Sequence, residues 1–362
     1  MAANMAVKDE VEKKMAFENL SEREKQILFN LVTYYIKTAD PVGSRVIANK
    51  FKMGISSATI RNTLQDLEEL GLVEQPHTSA GRVPTDRGYR VYVDYLLKPE
   101  RLTAAEKKAI KKSILREGRG INEILGQTAR VLGDITNQLG LTMAPNFEEG
   151  RLQALRLIPV SDDKIMVVVI VESGLARTLI LEVEVKVKLG DLFELESIIN
   201  ERLAGLTLAE IRKTISERMA NISGDPRLLK LVIDSKEKIW AEQVPEIIHV
   251  SGTDRLLRMP EFADRDKLSS LIKILEDSKL ISEFLSQAEA EGLVITIGRE
   301  NKINEIMNCS LVTSSYRVGD ITGSIGIIGP TRMPYDKLVS IVAYTARSIS
   351  EVLTGMETDE DR

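Results

Sequence analysis

The sequence predicts an α+β protein, with a small N-terminal region of helices and one hairpin followed by a larger antiparallel sheet domain. Two patterns support this class. Between residues 20 and 98, apolar residues recur at helical spacing around one short hairpin. From residue 152 onward, β-branched residues concentrate in short segments, and a mainly helical block separates an earlier set from a later one. The chain has 362 residues, 43% of them hydrophobic, which is enough for two or three domains with their own cores.

The first two predicted helices are defined by their caps. Ser21 is suited to begin the first helix, with Glu24 at the capping-box position, and an apolar stripe follows at helical spacing. Ser44 is predicted to cap a short second helix that ends in a four-residue turn at 52–55. The length and composition of this turn are typical of a helix-turn-helix.

The third predicted helix begins after Ser56 and ends near Gly71. Its apolar face consists of Ile60, Leu64 and Leu67. A rotation of about 100° per residue turns the other side toward solvent, and that side carries Ala58, Arg61, Asn62 and Gln65. Arginine can pair with guanine, and asparagine or glutamine with adenine, so this helix is predicted to read bases in the major groove.

A predicted hairpin and a fourth helix complete the region. A short strand at 72–74 leads into a polar loop at 75–82, and the chain returns at Val83. Thr85 and Asp86 then have the composition of a helix start. Three helices followed by a projecting hairpin predict a winged helix-turn-helix, with residues 75–82 as the wing.

The charge distribution supports DNA binding, although the formal net charge is −5. Between Pro41 and Gln65 there is no acidic residue, whereas four are basic: Arg45, Lys50, Lys52 and Arg61. The alternative is a merely solvated face, in which Arg61 pairs with Asp66 or Glu68 and His77 is an ordinary loop residue.

Four motifs resemble the HrcA family of bacterial heat-inducible transcription repressors. They are Pro-Val-Gly-Ser-Arg at 41–45, Ser-Ala-Thr-Ile-Arg-Asn at 57–62, Leu-Glu-Glu-Leu-Gly-Leu at 67–72 and His-Thr-Ser-Ala-Gly-Arg-Val-Pro-Thr at 77–85. The resemblance is densest between residues 20 and 97, and the later order of segments is similar as far as about residue 355. Residues 1–19 match nothing in the family pattern.

The resemblance implies a dimeric repressor that binds an inverted-repeat operator upstream of chaperone operons of the dnaK and groE type. It also implies release on heat shock and maintenance of the active form by the GroEL chaperonin. The residues predicted to contact double-stranded DNA are Arg45, Ser56, Ser57, Ala58, Arg61, Asn62, Gln65, His77, Thr78, Ser79 and Arg82.

The predicted domains divide the remaining chain. Residues 99–120 are expected to form a linker helix, and strands are predicted at 155–160, 164–171, 176–187, 293–297, 309–316 and 321–328. The two strand sets are expected to form one sheet domain in two halves, 121–205 and 281–355, around a helical block at 206–280. The resemblance identifies the sheet domain as GAF-like and the block as an inserted dimerisation domain. A disordered extension (1–19) and an acidic tail (356–362) are expected at the ends.

The composition argues against an enzyme. One cysteine and two histidines provide neither a disulfide framework nor a zinc site, so no metal or cofactor is expected. His249 is predicted to be a half-buried structural residue, and Cys309 a core residue. The chain carries no recognisable signal peptide, and its longest apolar runs are too short to span a membrane, which favours a cytoplasmic protein. A second hypothesis is a metabolite-responsive regulator whose GAF-like domain binds a small ligand.

Overall fold

The computed structural model describes residues 20–354, except 79, 115–119, 184–187, 221–224, 241–247, 264–268, 270–271, 276 and 302. The extension expected at 1–19 and the tail expected at 356–362 lie outside the described residues. The N-terminal unit, residues 20–98, is called the head below. Its elements are α1 (Glu22–Thr38), α2 (Ser44–Phe51), α3 (Ser57–Glu69), β1 (Val73–Glu74), β2 (Val83–Pro84) and α4 (Asp86–Val91), which continues as a π-helical turn at Tyr92–Leu96.

The predicted caps of α1, α3 and α4 are confirmed. Ser21 and Glu24 form a reciprocal capping box. The Oγ of Ser56 accepts from the amide of Thr59 at 3.1 Å, and the Oγ1 of Thr85 accepts from that of Gly88 at 3.1 Å. The predicted cap of α2 is wrong by one residue, because Gly43 occupies the cap position and Ser44 begins the helix with no side-chain capping bond.

A five-stranded antiparallel sheet follows the head. This sheet and the helices that cover it are called the sheet domain below. Its strands, from one edge to the other, are β7 (Ile248–Ser251), β3 (Leu139–Met143), β10 (Ile321–Pro330), β9 (Cys309–Val318) and β8 (Leu293–Ile297). One face packs against α6 (Ile121–Thr136) and α13 (Tyr335–Thr354), and α5 (Ala104–Ile114) packs on these two helices. The other face packs against α12 (Ser278–Glu291).

The predicted helix over 121–141 is too long. It ends at Thr136, Asn137 adopts a φ of 56°, and the chain returns as β3, which pairs with β10 and β7. Gly140 permits the return, because a Cβ there would lie 2.1 Å from the carbonyl oxygen of Ala129. The apolar run at 139–143 therefore belongs to a central strand, which a short apolar segment cannot reveal by periodicity alone.

The two predicted strand sets do not share one sheet, so that expectation is wrong. The earlier strands form a separate three-stranded sheet, β4-β5-β6, which packs with the following helices around its own core. This unit, residues 152–239, is called the inserted module. Its elements are β4 (Leu152–Ser161), β5 (Lys164–Val171), β6 (Ala176–Glu182), α7 (Leu189–Leu203), α8 (Leu208–Arg218), α9 (Pro226–Asp234) and α10 (Lys236–Ile239).

One further expectation changes with this arrangement. The strand around His249, expected inside the helical block at 206–280, is β7 at the edge of the five-stranded sheet. It is followed by a short helix, α11 (Thr253–Leu256). Strands β4 to β6 are consecutive and joined by tight turns, so they satisfy their backbone hydrogen bonds locally and need no partner from the distant strands.

Helix α5, predicted as a linker, packs on α13. Ile110 and Ile114 are buried, Lys337 pairs with Glu106 at 2.7 Å, and Lys111 lies 3.6 Å from Glu351. Burial of one apolar face explains why the helix is part of the sheet domain rather than a solvated connector. Its core residues join the same apolar cluster as those of the head.

Candidate nucleic-acid interface

A polar cleft lies where α2, α3 and the wing meet. Its volume is about 430 Å³, and its lining includes Arg45, Arg61, Leu64, Gln75, Thr78 and Arg82. The turn between α2 and α3 contains Lys52 and Gly54 at φ values of 46° and 71°, which set the crossing of the two helices. The cleft therefore has three basic side chains on its rim and backbone from three elements around it.

Helix α3 presents its polar face to solvent. Ile60, Leu64 and Leu67 are buried against the head, as the helical spacing predicts. On the opposite side, the structure places Ala58, Arg61, Asn62 and Gln65 in exposed positions. Ser56 is also exposed and Ser57 is half-buried at the first turn. All six predicted contact residues of this helix therefore lie at or near one accessible surface.

The wing is fixed to the start of α2. The amide of Val42 donates to the carbonyl of Arg82 at 2.8 Å, and the reciprocal bond is 2.9 Å long. Gly81 allows this contact, because a Cβ there would lie 2.4 Å from the carbonyl carbon of Val42. Within the loop, the Nε2 of Gln75 donates to the carbonyls of Thr78 and Ala80, both at 3.0 Å. These bonds anchor the described residues of the wing to the start of α2 and to one another.

The wing residues predicted to contact DNA differ in accessibility. His77 and Thr78 are exposed. Ser79 lies outside the described residues. Arg82 is only 20% exposed in its side chain and pairs with Glu68 of α3, with 2.7 Å between Nη2 and Oε2. The partner of Glu68 is therefore Arg82, and not Arg61 as the alternative interpretation proposed.

The other two arginines of the cleft, Arg45 and Arg61, are accessible to a ligand. Among the described residues, no carboxylate lies within ion-pair distance of Arg45 or Arg61, and both side chains are exposed. An exposed guanidinium offers a planar set of donors that fits a phosphate or the edge of a guanine. The cleft can therefore bind a polyanion through Arg45 and Arg61 without breaking an existing ion pair.

Glu68 and Gln75 are residues of the interface that the sequence analysis missed. Both stabilise the wing and neither points to a base, so a search for base-reading residue types on α3 does not select them. Gln75 does carry a local signal, because the two loop carbonyls to which it donates follow it by only three and five residues. Glu68 carries no such signal, since its partner is 14 residues away across the hairpin.

The other residues considered for chemistry lie in structural positions. His249 is partly buried in β7, and burial lowers the pKa of its imidazole. Cys309 is buried at the start of β9. Within the described ranges, no three histidine, cysteine, aspartate or glutamate side chains are grouped to hold a metal ion. No helix of that same part is both long and apolar enough to cross a membrane.

Comparison with known proteins identifies both parts of the chain. Residues 19–94 match the model of the family described as the winged helix-turn-helix transcription repressor, HrcA DNA-binding, and residues 122–339 match the HrcA protein C terminal domain. A crystal structure described as that of a hypothetical protein superposes with a TM-score of 0.60 at 23% identity, covering 94% of this chain and 100% of its own, which supports the fold alone.

Curated relatives extend over most of the chain. The heat-inducible transcription repressor HrcA of Pelotomaculum thermopropionicum is 36% identical over 337 residues, which is 92% of this chain and 97% of the relative. That of Chlorobium chlorochromatii is 38% identical over 345 residues, which is 94% of this chain and 99% of the relative. The chain therefore belongs to the HrcA family of heat-inducible, DNA-binding transcription repressors, and it is a regulator rather than an enzyme.

Proposed function

We propose that this repressor binds an inverted-repeat operator upstream of chaperone operons, of the dnaK and groE type, as a homodimer in the cytoplasm, and that heat shock releases it. The observation that carries the proposal is the exposed polar face of α3 beside a wing that is fixed by hydrogen bonds. A helix presented in this way can enter the major groove while the wing follows the neighbouring backbone.

The chemistry of the exposed face supports the proposed contacts. Arg61 is suited to pair with guanine, and Asn62 and Gln65 with adenine, because their donors and acceptors match those base edges. Ser56, Ser57 and Ala58 lie at the first turn of α3, where the helix N-terminus favours a phosphate. Arg45 and the wing residues His77, Thr78, Ser79 and Arg82 are proposed to contact the DNA backbone. For Arg82 this requires that the pair with Glu68 opens.

An exposed apolar surface on the inserted module supports the homodimer. Ile158 and Ile180 flank Met166 in register across β4, β5 and β6, and they are 42% and 58% exposed. Val160 on the same sheet is 55% exposed. Apolar side chains aligned on the outer face of a sheet are typical of a protein contact. We propose a second copy of the chain as the occupant, since an inverted repeat is read by a twofold dimer.

The sheet topology supports a requirement for the GroEL chaperonin. Strand β3 pairs with β10, so residues near 140 must meet residues near 326 before the central sheet closes. Such distant pairing slows folding and leaves apolar strands exposed meanwhile. We expect operator binding after refolding at physiological temperature to recover fully only with the chaperonin. Complete recovery without it would contradict this part of the proposal.

The metabolite-sensor hypothesis receives less support. Clefts of about 570 and 430 Å³ are lined mainly by residues of the head. The larger one is lined by residues of α1 and of the turn after α4, including Phe29, Tyr92 and Tyr95, and by Asp336 of α13. A ligand in either cleft would bind at the head rather than in a GAF-like pocket.

DNase I footprinting of the full chain on the upstream regions of its own genome tests the proposed function. We expect two protected half-sites about one helical turn apart, or a multiple of it, on the same face of the duplex. Protection should disappear during a heat ramp and return when folded protein is supplied. A single asymmetric footprint, or uniform protection of unrelated DNA, would contradict the proposal.

A further inference from the structure

Arg90 of α4 links the head to the sheet domain. Its Nε donates to Glu300 Oε1 at 2.9 Å and its Nη2 to the carbonyl of Ile295 at 2.6 Å, while Nη1 pairs with Asp94 at 3.0 Å. A second bond joins Nη2 to the other oxygen of Glu300. The Arg90 side chain is only 13% exposed, and Glu300 also accepts from the amide of Ile297 at 3.0 Å. A bidentate, charge-assisted pair of this kind is stronger than a neutral hydrogen bond and fixes the relative geometry of its two partners.

The backbone next to Glu300 makes a second contact with the same helix. The amide of Arg299 donates to Asp86 Oδ2 at 3.0 Å, at the start of α4. Gly298 has a φ of 55°, and a Cβ at that position would lie 2.3 Å from the Asp86 carboxyl group. Both ends of α4 are therefore held by one short segment of the sheet domain, residues 295–300.

A third contact joins the head to the sheet domain through α1. Arg332 donates through Nη1 to the carbonyl of Ile36 in α1 at 2.7 Å, and through Nε to Glu261 at 2.6 Å. The buried ring of Tyr89 lies 6.1 Å from that of Tyr335. The head is thus fixed to the sheet domain at separated points and has little freedom to rotate about any one of them.

Helix α4 is also rigidly joined to the DNA-reading elements. It begins directly after β2 of the wing, and Thr85 Oγ1 donates to the carbonyl of Gly71 at 2.7 Å, at the end of α3. Gly88 packs so closely on Leu72 that a Cβ would lie 2.0 Å from the Leu72 carbonyl oxygen. The orientation of α4 on the sheet domain therefore determines the orientation of α3 and of the wing.

We propose that Arg90, Glu300 and Asp86 are positioning residues for operator binding, which set the direction of α3 relative to the body of the protein. This inference rests on the proposed dimeric reading of an inverted repeat. In such a dimer the two recognition helices must arrive at a fixed separation, and a loosely attached head loses affinity through the entropy of aligning both half-sites. A single half-site needs no such alignment.

Glu300→Gln tests the proposal, because it keeps the shape of the side chain and removes its charge. Glu351→Gln is the matched control, since it removes the charge of an ion pair within the sheet domain, between Glu351 of α13 and Lys111 of α5. Arg90→Lys is a second variant, which keeps the charge but cannot bind bidentately. Binding is measured by fluorescence anisotropy with three duplexes. These are the protected inverted repeat from footprinting, one half-site alone, and the repeat with its centre lengthened by about half a helical turn.

We expect Glu300→Gln and Arg90→Lys to bind the inverted repeat about tenfold more weakly. Their affinity for the single half-site should stay within about twofold, and the penalty for the lengthened centre should shrink. The control should match the unaltered chain on all duplexes. Equal losses on the half-site and the full repeat would show a purely structural role, and unchanged binding would also overturn the inference.

The two proposals fail in different ways. If the unaltered chain binds the half-site as tightly as the inverted repeat, the dimeric operator proposal fails and the positioning role falls with it. If the unaltered chain distinguishes the duplexes and both variants do so equally well, only the positioning role is wrong.

Discussion

The head and the inserted module both present side chains to solvent, but the chemistry of those side chains differs. On α3 they are polar, with Arg61, Asn62 and Gln65 exposed beside a fixed wing. On the inserted module they are apolar, with Ile158 and Ile180 about half exposed on the outer face of β4 to β6. Polar groups with defined donors read base edges, whereas exposed apolar patches bind other proteins. We infer that DNA recognition and self-association reside in separate units that can be altered one at a time.

The largest effect is expected from charges placed on the apolar face. The double variant Ile158→Asp/Ile180→Asp should be monomeric, because a second copy cannot bury two carboxylates without partners. Operator affinity should fall by about 10²–10⁴-fold as the advantage of two linked half-sites is lost. Light scattering and anisotropy on the same samples measure both quantities. Lys213→Asp, an exposed site on α8, is the control. If the variant remains dimeric, this face is not the dimer interface.

A smaller and more selective effect is expected on α3. Arg61→Ala, Asn62→Ala and Gln65→Ala should each cost about 1–3 kcal/mol of binding free energy on the operator. Binding to a scrambled duplex should be nearly unchanged, since base contacts carry the sequence preference. Arg23→Ala, exposed in the first turn of α1, is the control. Equal losses on both duplexes would show that the outward face of α3 does not read bases.

The Arg82–Glu68 pair gives a finer test within the head. Arg82→Ala should weaken binding to all sequences and reduce the slope of log affinity against log salt by about one, if the guanidinium contacts a phosphate in the complex. Glu68→Gln should then strengthen non-specific binding, because it releases the same guanidinium. A titration of affinity at several salt concentrations measures both slopes. If Glu68→Gln weakens binding instead, the pair serves to hold the wing and Arg82 does not contact DNA.

The smallest expected effect concerns the attachment of α5. Hydrogen bonds from Lys337 and Thr103 lower the pKa of Glu106 from its ordinary 4.5 to about 2. A lowered pKa in the folded state adds stability that is present above pH 4.5 and is lost as the pH falls toward 2. The pair lies at the surface, where solvent screens it, so the contribution is small. Urea unfolding at pH 6 and pH 3 should show a smaller difference for Glu106→Gln than for the unaltered chain. An identical difference would show that the Glu106–Lys337 ion pair does not contribute to the pH dependence of stability.

The head shows which features of the structure local sequence patterns can predict and which they cannot. In the head, the caps at Ser21, Ser56 and Thr85 all lie where the sequence predicted them. Each cap is satisfied within three residues, so its signal is contained in a short window. The outward face of α3 follows from helical rotation in the same way. By contrast, the pairing of Arg82 with Glu68 depends on how the hairpin folds back, and residue types alone offered only Arg61 as an alternative partner for Glu68.

Sheet membership is the clearest case that local patterns cannot decide. Strands 164–171 and 293–297 have similar apolar composition, and the sequence placed both sets in one sheet. The structure assigns them to different sheets, while the segment 139–143, predicted to be helical, becomes a central strand. Apolar composition identifies a strand that is buried, but the choice of neighbour depends on which edges remain unpaired in the assembled fold.

The sequence by itself determined the position of α3 and its cap, its outward polar face, the acid-free interval around it and the family to which the chain belongs. These are local properties, set by side-chain type and by the 3.6-residue period. The tertiary structure alone decided that β4 to β6 stand apart from the main sheet, that Glu68 engages Arg82 and that Arg90 fastens the head to residues 295–300. Those contacts join residues up to 210 positions apart. Their formation depends on burial and loop closure across the whole chain, which no short window of sequence contains.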